Sequence, residues 1–181
     1  MHQKAKGNTF ERRTANLISL LLTDNKETHA VWRTHSSGAI GTIHKKIDKK
    51  YVGDLYRVMD KGFYPNLDKF FDEYIIECKH YDDLSFRPPF IKRFYTNILI
   101  PTYYEEAGDN KVLLVIGGGN KSPIYFIEDN FGDWDISLRI NVESFVENNE
   151  KVKQSPKKEF FIYGYEEKRI EMMFNNILIK H

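Results

Sequence analysis

Residues 74–80 read Tyr-Ile-Ile-Glu-Cys-Lys-His, an apolar run that sets an acid and a base two positions apart. Side chains alternate faces along a β-strand, so Glu77 and Lys79 point one way while Ile76 and Cys78 point the other. A buried strand has no structural reason to carry a glutamate and a lysine on one face. A site that binds a metal ion and activates water does have one, and this spacing constrains the chain's chemistry more than any other feature.

The second half of the pattern lies upstream. Tyr51-Val-Gly-Asp-Leu-Tyr-Arg-Val-Met59 reads as another strand, entered through Gly53 and carrying Asp54 near its start. Asp60-Lys61-Gly62 reads as the turn that follows. If the two strands pair, the carboxylates of Asp54 and Glu77 converge on one divalent cation. Mg²⁺ prefers hard oxygen ligands, usually one or two carboxylates with waters and substrate phosphate oxygens. Such a cation polarises a scissile phosphate and lowers the pKa of bound water. The compact ammonium of Lys79 then orients that water or stabilises charge on the pentavalent phosphate.

Lys6-Gly-Asn-Thr-Phe-Glu-Arg-Arg13 opens a helix, with Asn8 or Thr9 as its expected N-cap. Phe10, Leu17 and Leu21 recur at helical spacing, with Ala15, Ile18 and Leu22 beside them. Glu11 is expected in the first turn, where a carboxylate suits the helix dipole. Val31-Trp-Arg-Thr-His-Ser-Ser-Gly38 reads as a strand ending in a small loop. The Gly-x-x-Phe-Glu-Arg helix, the Arg-x-x-x-Ser-Gly loop, the Gly-Asp strand and the Glu-x-Lys strand follow one another in order. Together they resemble the PD-(D/E)xK nuclease superfamily, and within it the archaeal-type Holliday-junction resolvases and their phage relatives. Gly53 stands where the family name has proline. The resemblance spans Lys6 to Asp129.

The resemblance implies a role for each matching residue. Asp54 and Glu77 bind the metal together with the backbone carbonyl of Cys78, and Lys79 is the catalytic lysine. Glu11 is the helix carboxylate at the metal, directly or through water. Arg12 and Arg33 contact phosphates, and Ser37 lies against DNA at the rim of the site. The implied cofactor is Mg²⁺, with Mn²⁺ able to substitute. The implied partner is branched or four-way DNA, and two symmetric incisions in a junction imply a homodimer.

Plainer readings stand beside these. Glu11 also serves as a dipole-complementing acid, Arg12 and Arg13 as solvated helix-face residues, and Ser36 to Gly38 as ordinary loop. His35 and His80 are left out, since lone histidines are more often surface or hydrogen-bonded residues. Tyr56 to Glu73 is longer than the tight hairpin expected between the acidic strands, and reads as a local insertion contacting DNA or a partner subunit.

A net charge of +1 supports DNA binding poorly if it is spread evenly, and it is not. Residues 1–50 carry 10 Lys/Arg against 4 Asp/Glu, whereas residues 101–150 carry 3 against 10. Such a field holds a nucleic-acid backbone on one face while another repels it. Lys45, Lys46, Lys49 and Lys50 form the densest basic stretch, just before Asp54, and are read as a loop gripping phosphates; a soluble connection is the alternative. No apolar stretch reaches membrane-spanning length, and the first residues lack the apolar core of a signal peptide. Cys78 is the single cysteine and forms neither an intrachain disulfide nor a zinc cluster. These features point to the cytoplasm, that of the host if the protein is viral.

Downstream, Pro88-Pro89 precedes a helical pattern over Phe90 to Leu99, read as a crossover helix. Lys111 to Ile116 and Pro123 to Glu128 read as core strands joined by a glycine-rich hairpin at Gly117 to Ser122. Phe145 to Lys158 is read as a loop, Phe160 to Tyr163 as a late strand, and Glu166 to Ile179 as a helix carrying Ile170, Met173, Phe174 and Ile177. The expected architecture is an α/β, restriction-endonuclease-like fold with a central mixed β-sheet flanked by helices. Residues 1–130 form the nuclease core, and 131–181 an extension packed on it or used in dimerisation, a single domain overall. The expected activity is Mg²⁺-dependent cleavage of phosphodiesters in branched DNA. The alternatives are a restriction or repair nuclease of the same superfamily, or a catalytically silent DNA-binding module.

Overall fold

The computed structural model describes residues 3–34, 53–81, 111–118, 121–141 and 159–179. They form α1 (Gln3–Leu22), β1 (Val31–Arg33), β2 (Leu55–Arg57), α2 (Pro65–Glu73), β3 (Tyr74–Tyr81), β4 (Lys111–Gly118), β5 (Lys121–Ile127), β6 (Ile136–Asn141) and β7 (Glu159–Glu166). A 3-10 turn at Glu167–Arg169 leads into α3 (Ile170–Ile179). The strands make one seven-stranded sheet in the order β1-β2-β3-β4-β5-β7-β6. β3 and β4 are parallel and the other neighbours antiparallel, so the sheet is mixed as expected. Parallel pairing demands a crossover connection; the helix expected over Phe90 to Leu99 lies outside the described residues.

Cross-strand partners share a face. Ile76 pairs with Leu113, Cys78 with Val115, Val115 with Tyr125, and Tyr125 with Tyr165. All are buried in one cluster with Phe10, Ile18 and Leu22 of α1, Leu67 and Phe70 of α2, and Met173, Phe174 and Ile177 of α3. The three described helices therefore cover the same side of the sheet. Phe70 joins α2 to β3 and α3, stacking on Tyr74 at 5.0 Å and on Phe174 at 5.2 Å. On the opposite side Leu114, Ile116, Ile124 and Phe126 are also buried. Burial on both faces is why β4 and β5 read as continuous apolar runs.

Local chemistry sets the details. Ser19 Oγ donates to the Ala15 carbonyl and accepts from the Val31 N–H, both at 2.8 Å, pinning α1 to the start of β1. The expected hairpin closes with Gly118 opposite Lys121, and the register shifts between Ile116 and Gly118. Pro123, which has no N–H to give a ladder, sits in the partner strand at that irregularity. The bare Gly117 in turn leaves room for the Phe10 ring, against which any Cβ would collide.

Four expectations are corrected. First, α1 begins at Gln3, because Gln3-Lys-Ala-Lys6 are all good helix formers. Neither Asn8 nor Thr9 is its N-cap, and Glu11 lies in the helix interior instead of the first turn. Second, of the strand expected over 51–59, the described residues 53–59 form strand only at Leu55–Arg57, with Gly53 at φ +87° bending the chain ahead of Asp54. Third, residues 56–73, read as a local insertion, carry a helix that packs into the core. The turn at Gly62 leads into α2, which starts at Pro65 and buries Leu67 and Phe70. Asp68 fastens the turn to the helix, accepting from Arg57 at 2.5 Å and from the Gly62 N–H at 2.7 Å. Fourth, the helix expected from Glu166 starts with the 3-10 turn, and α3 proper runs from Ile170, with Ile170, Met173, Phe174 and Ile177 buried as expected. β6 was not foreseen.

Candidate active site

Asp54 stands at the mouth of β2, fastened to the strands on either side. Its N–H donates to the Ile76 carbonyl and its own carbonyl accepts from the Thr34 N–H, both at 2.8 Å. Thr34 Oγ1 donates to the Gly53 carbonyl at 3.0 Å, holding the bend from the other side. Gly53 is required here twice over. Its φ of +87° suits glycine, and a Cβ would lie 2.6 Å from the Ile76 carbonyl oxygen. Proline, locked near φ −65°, cannot take this conformation, which explains glycine at the position where the family name has proline.

The bend turns the Asp54 carboxylate toward β3, where its Oδ2 accepts from the Cys78 N–H at 2.8 Å. Glu77 and Lys79 project from β3 on the face opposite the three helices, alternating with buried Ile76 and Cys78. Lys79 Nζ lies 2.5 Å from Glu77 Oε1 and 3.3 Å from Asp54 Oδ2. One ammonium thus bridges both acids. Burial alone disfavours the lysine's charge, but the Glu77 and Asp54 carboxylates more than offset it and hold its pKa above lysine's ordinary value.

Glu11 arrives from α1. Its Oε2 accepts from Arg33 Nε at 2.8 Å, and Arg33 Nη2 donates to Asn8 Oδ1 at 2.8 Å. Burial pushes the Glu11 carboxyl up, the Arg33 hydrogen bond opposes this, and the Asp54 charge adds to the rise; the outcome is a raised pKa. The charges of Asp54, Glu77, Glu11 and Lys79 all reach the Cys78 thiol. Burial first, and the nearby carboxylates second, push that thiol well up, so it remains a protonated, unreactive group.

The donor set suits a hard cation. Two carboxylates already share one positive charge, that of the Lys79 ammonium. In a strand the N–H and C=O of one residue face the same neighbour, so the Cys78 carbonyl faces Asp54 as its N–H does. Among the described residues no three His, Cys, Asp or Glu side chains converge on one point. The available set is therefore two carboxylates and a main-chain oxygen, which is how Mg²⁺ is commonly held, with water and phosphate completing the shell.

The structure brings Asp54, Glu77, Lys79 and the Cys78 main chain together, with Glu11 near enough to feel the charges of Asp54 and Lys79. Arg12 is exposed on α1, and Arg33 turns inward to Glu11 and Asn8. His80 stays outside the cluster, its ring 5.3 Å from that of Phe10. Ser37, Lys45, Lys46, Lys49, Lys50 and His35 lie outside the described residues. Two contributors were missed in the sequence. Thr34 follows from the β1–β2 register, which pairs Arg33 with Leu55 and so sets Thr34 opposite Asp54. Asn8 reads as a cap in the sequence, and nothing local to it signals its partner Arg33 on β1.

A family model described as phage putative PDDEXK endonuclease matches residues 2–179. The chain belongs to that family. It is a nuclease of the PD-(D/E)xK type, DNA is the substrate class, and the seven-stranded mixed sheet with its helices is the restriction-endonuclease-like fold. The family match continues through β6, β7 and α3, beyond Asp129 where the motif resemblance ended. No match was found among curated proteins or among solved structures. No described helix is long and apolar enough to cross a membrane.

Proposed function

We propose that this family member is a Mg²⁺-dependent endonuclease acting on branched DNA, as a Holliday-junction resolvase and as a homodimer, with Mn²⁺ able to replace Mg²⁺. The supporting observation is the single ammonium of Lys79 held between Asp54 and Glu77 beside the Cys78 main chain, two hard-oxygen acids turned toward one positive charge. Asp54, Glu77 and the Cys78 carbonyl would hold the metal, with Glu11 supporting it directly or through water; a cation held there would polarise the scissile phosphate and lower the pKa of a bound water.

Lys79 places fixed positive charge where negative charge develops on the phosphate. Preorganised charge in a site that excludes water costs no reorganisation when the bond breaks. Arg12 on the exposed face of α1, together with Ser37, Lys45, Lys46, Lys49 and Lys50, supplies the grip on DNA. Neutralising those four lysines lowers DNA affinity and flattens its salt dependence, by a slope of about 0.9 for each phosphate no longer neutralised.

The test is a gel assay of purified protein on a labelled four-way junction, a flap and a linear duplex, with and without Mg²⁺. Metal-dependent, paired nicks in the junction support the reading. Faster cutting of linear duplex assigns the chain to the restriction or repair type, and binding without cutting under any divalent cation assigns it to silent DNA binders.

A further inference from the structure

Arg33 is the one described arginine at the site, and its guanidinium is engaged inside the protein. Nε reaches Glu11 and Nη2 reaches Asn8, each at 2.8 Å, so one edge of the fork holds two acceptors. Asn8 and Glu11 are three residues apart on α1, which makes them neighbours on the helix surface. Arg33 is fixed in turn by strand pairing with Leu55. The Arg33 and Glu11 side chains are both largely buried, and the hydrogen-bonding edge that Arg33 would offer a phosphate is already filled by Glu11 and Asn8.

We infer that Asn8 and Arg33 are positioning residues for Glu11, fixing its carboxylate toward Asp54 and Lys79, and that Arg33 does not serve as a phosphate contact. This inference rests on the nuclease reading of the same site. The chemistry of the trio favours it. An arginine fork engages two acceptors in fixed directions, which a lysine cannot do. A neutral amide as the second acceptor orients the fork without adding another negative charge beside Glu11. Groups that orient metal ligands commonly matter nearly as much as the ligands.

The experiment is steady-state cleavage kinetics on labelled DNA with Mg²⁺, alongside DNA binding measured at several salt concentrations. Asn8→Leu, which keeps the volume and removes the acceptor, is expected to lower kcat by about 10- to 100-fold while leaving KM for DNA and the salt slope unchanged. In a Glu11→Gln background, Asn8→Leu is expected to have no further effect, because the group it positions is already disabled. Arg33→Lys keeps the charge and loses the fork, so it should show the same fall in kcat; this variant carries the test if Asn8→Leu folds poorly. An Arg33→Lys enzyme with full kcat overturns the inference. So do effects of Asn8→Leu and Glu11→Gln that simply add, or an Asn8→Leu defect confined to KM and the salt slope. Failure of the nuclease reading is distinguishable, because the unmodified protein would then not cut DNA with any divalent cation.

Discussion

The carboxylate of Asp54 is held by the main chain of Cys78, whose N–H donates to Oδ2 at 2.8 Å. The acid from β2 is thereby registered against the strand that carries Glu77 and Lys79. The placement of Asp54 against that strand is therefore set by main-chain geometry. Anything that shifts the bend at Gly53 shifts the acid relative to its partners.

Gly53→Ala tests that dependence. Strain at the positive φ and the 2.6 Å approach to the Ile76 carbonyl both have to be relieved by moving the backbone. The expected cost is about 1–3 kcal/mol of stability, read as a lower midpoint in urea. Cleavage should fall by about 100-fold in the fraction that remains folded, since a displacement of about 1 Å is enough to cause such a loss. Full activity at reduced stability would show that the bend does not set the position of Asp54.

Ser19→Ala separates folding from chemistry. The substitution leaves the buried Val31 N–H without its side-chain partner, an orphaned donor worth about 1–3 kcal/mol. Thermal melts should show this loss, while kcat at a temperature where the variant is folded stays unchanged. Ser19 touches neither Asp54 nor Glu77 nor Lys79.

Lys111 gives the pH prediction. Its ammonium lies 2.5 Å from Glu73 Oε1 and 3.2 Å from Asp129 Oδ2, while Tyr74 donates to the same Asp129 oxygen at 2.8 Å. Burial lowers this lysine's pKa, but its bonds to Glu73 and Asp129 more than offset that and raise it above 10.5. A raised lysine pKa means that the pairing contributes in full below 10.5 and is lost as the pH climbs through the folded-state value. Lys111→Met should therefore cost about 1 kcal/mol at neutral pH. The gap between variant and parent in urea melts should close only above pH 10.5. A gap that closes between about pH 7 and 9 would contradict the assignment.

Phe174→Ala asks whether α3 belongs to the core. The ring stacks on Phe70 at 5.2 Å and is 1% exposed, so truncation should cost about 3–5 kcal/mol. A loss under about 1 kcal/mol in urea denaturation would mean that α3 is an appendage whose packing the rest of the sheet does not need.

Much of this was legible in the chain because period-two alternation and apolar runs are local signals. Glu77 and Lys79 share a face for that reason alone, and β4, β5, β7 and the buried stripe of α3 announce themselves in the same way. What was not legible depends on partners distant in sequence. Asn8 looks like a cap until Arg33, from another element, engages its side chain. The strand at Asp54 looks long until the carbonyl of Ile76 forces the bend at Gly53. α2 did leave a signal, Pro65 at its start with Leu67, Phe70 and Phe71 at helical spacing, but it was hidden by the expectation of a tight hairpin. Ile136-Ser-Leu-Arg-Ile-Asn141 alternates as an edge strand should, yet its pairing with β7 spans a long stretch of intervening chain.

The most direct test of the account is cleavage of labelled branched DNA by Asp54→Asn, Glu77→Gln and Lys79→Ala in Mg²⁺, with DNA affinity measured in parallel without metal. The account predicts that the two acid variants lose all detectable cutting, that Lys79→Ala is slowed more than its Mg²⁺ requirement is raised, and that all three still bind DNA close to the parent's affinity. Unchanged cutting by Asp54→Asn and Glu77→Gln would contradict it.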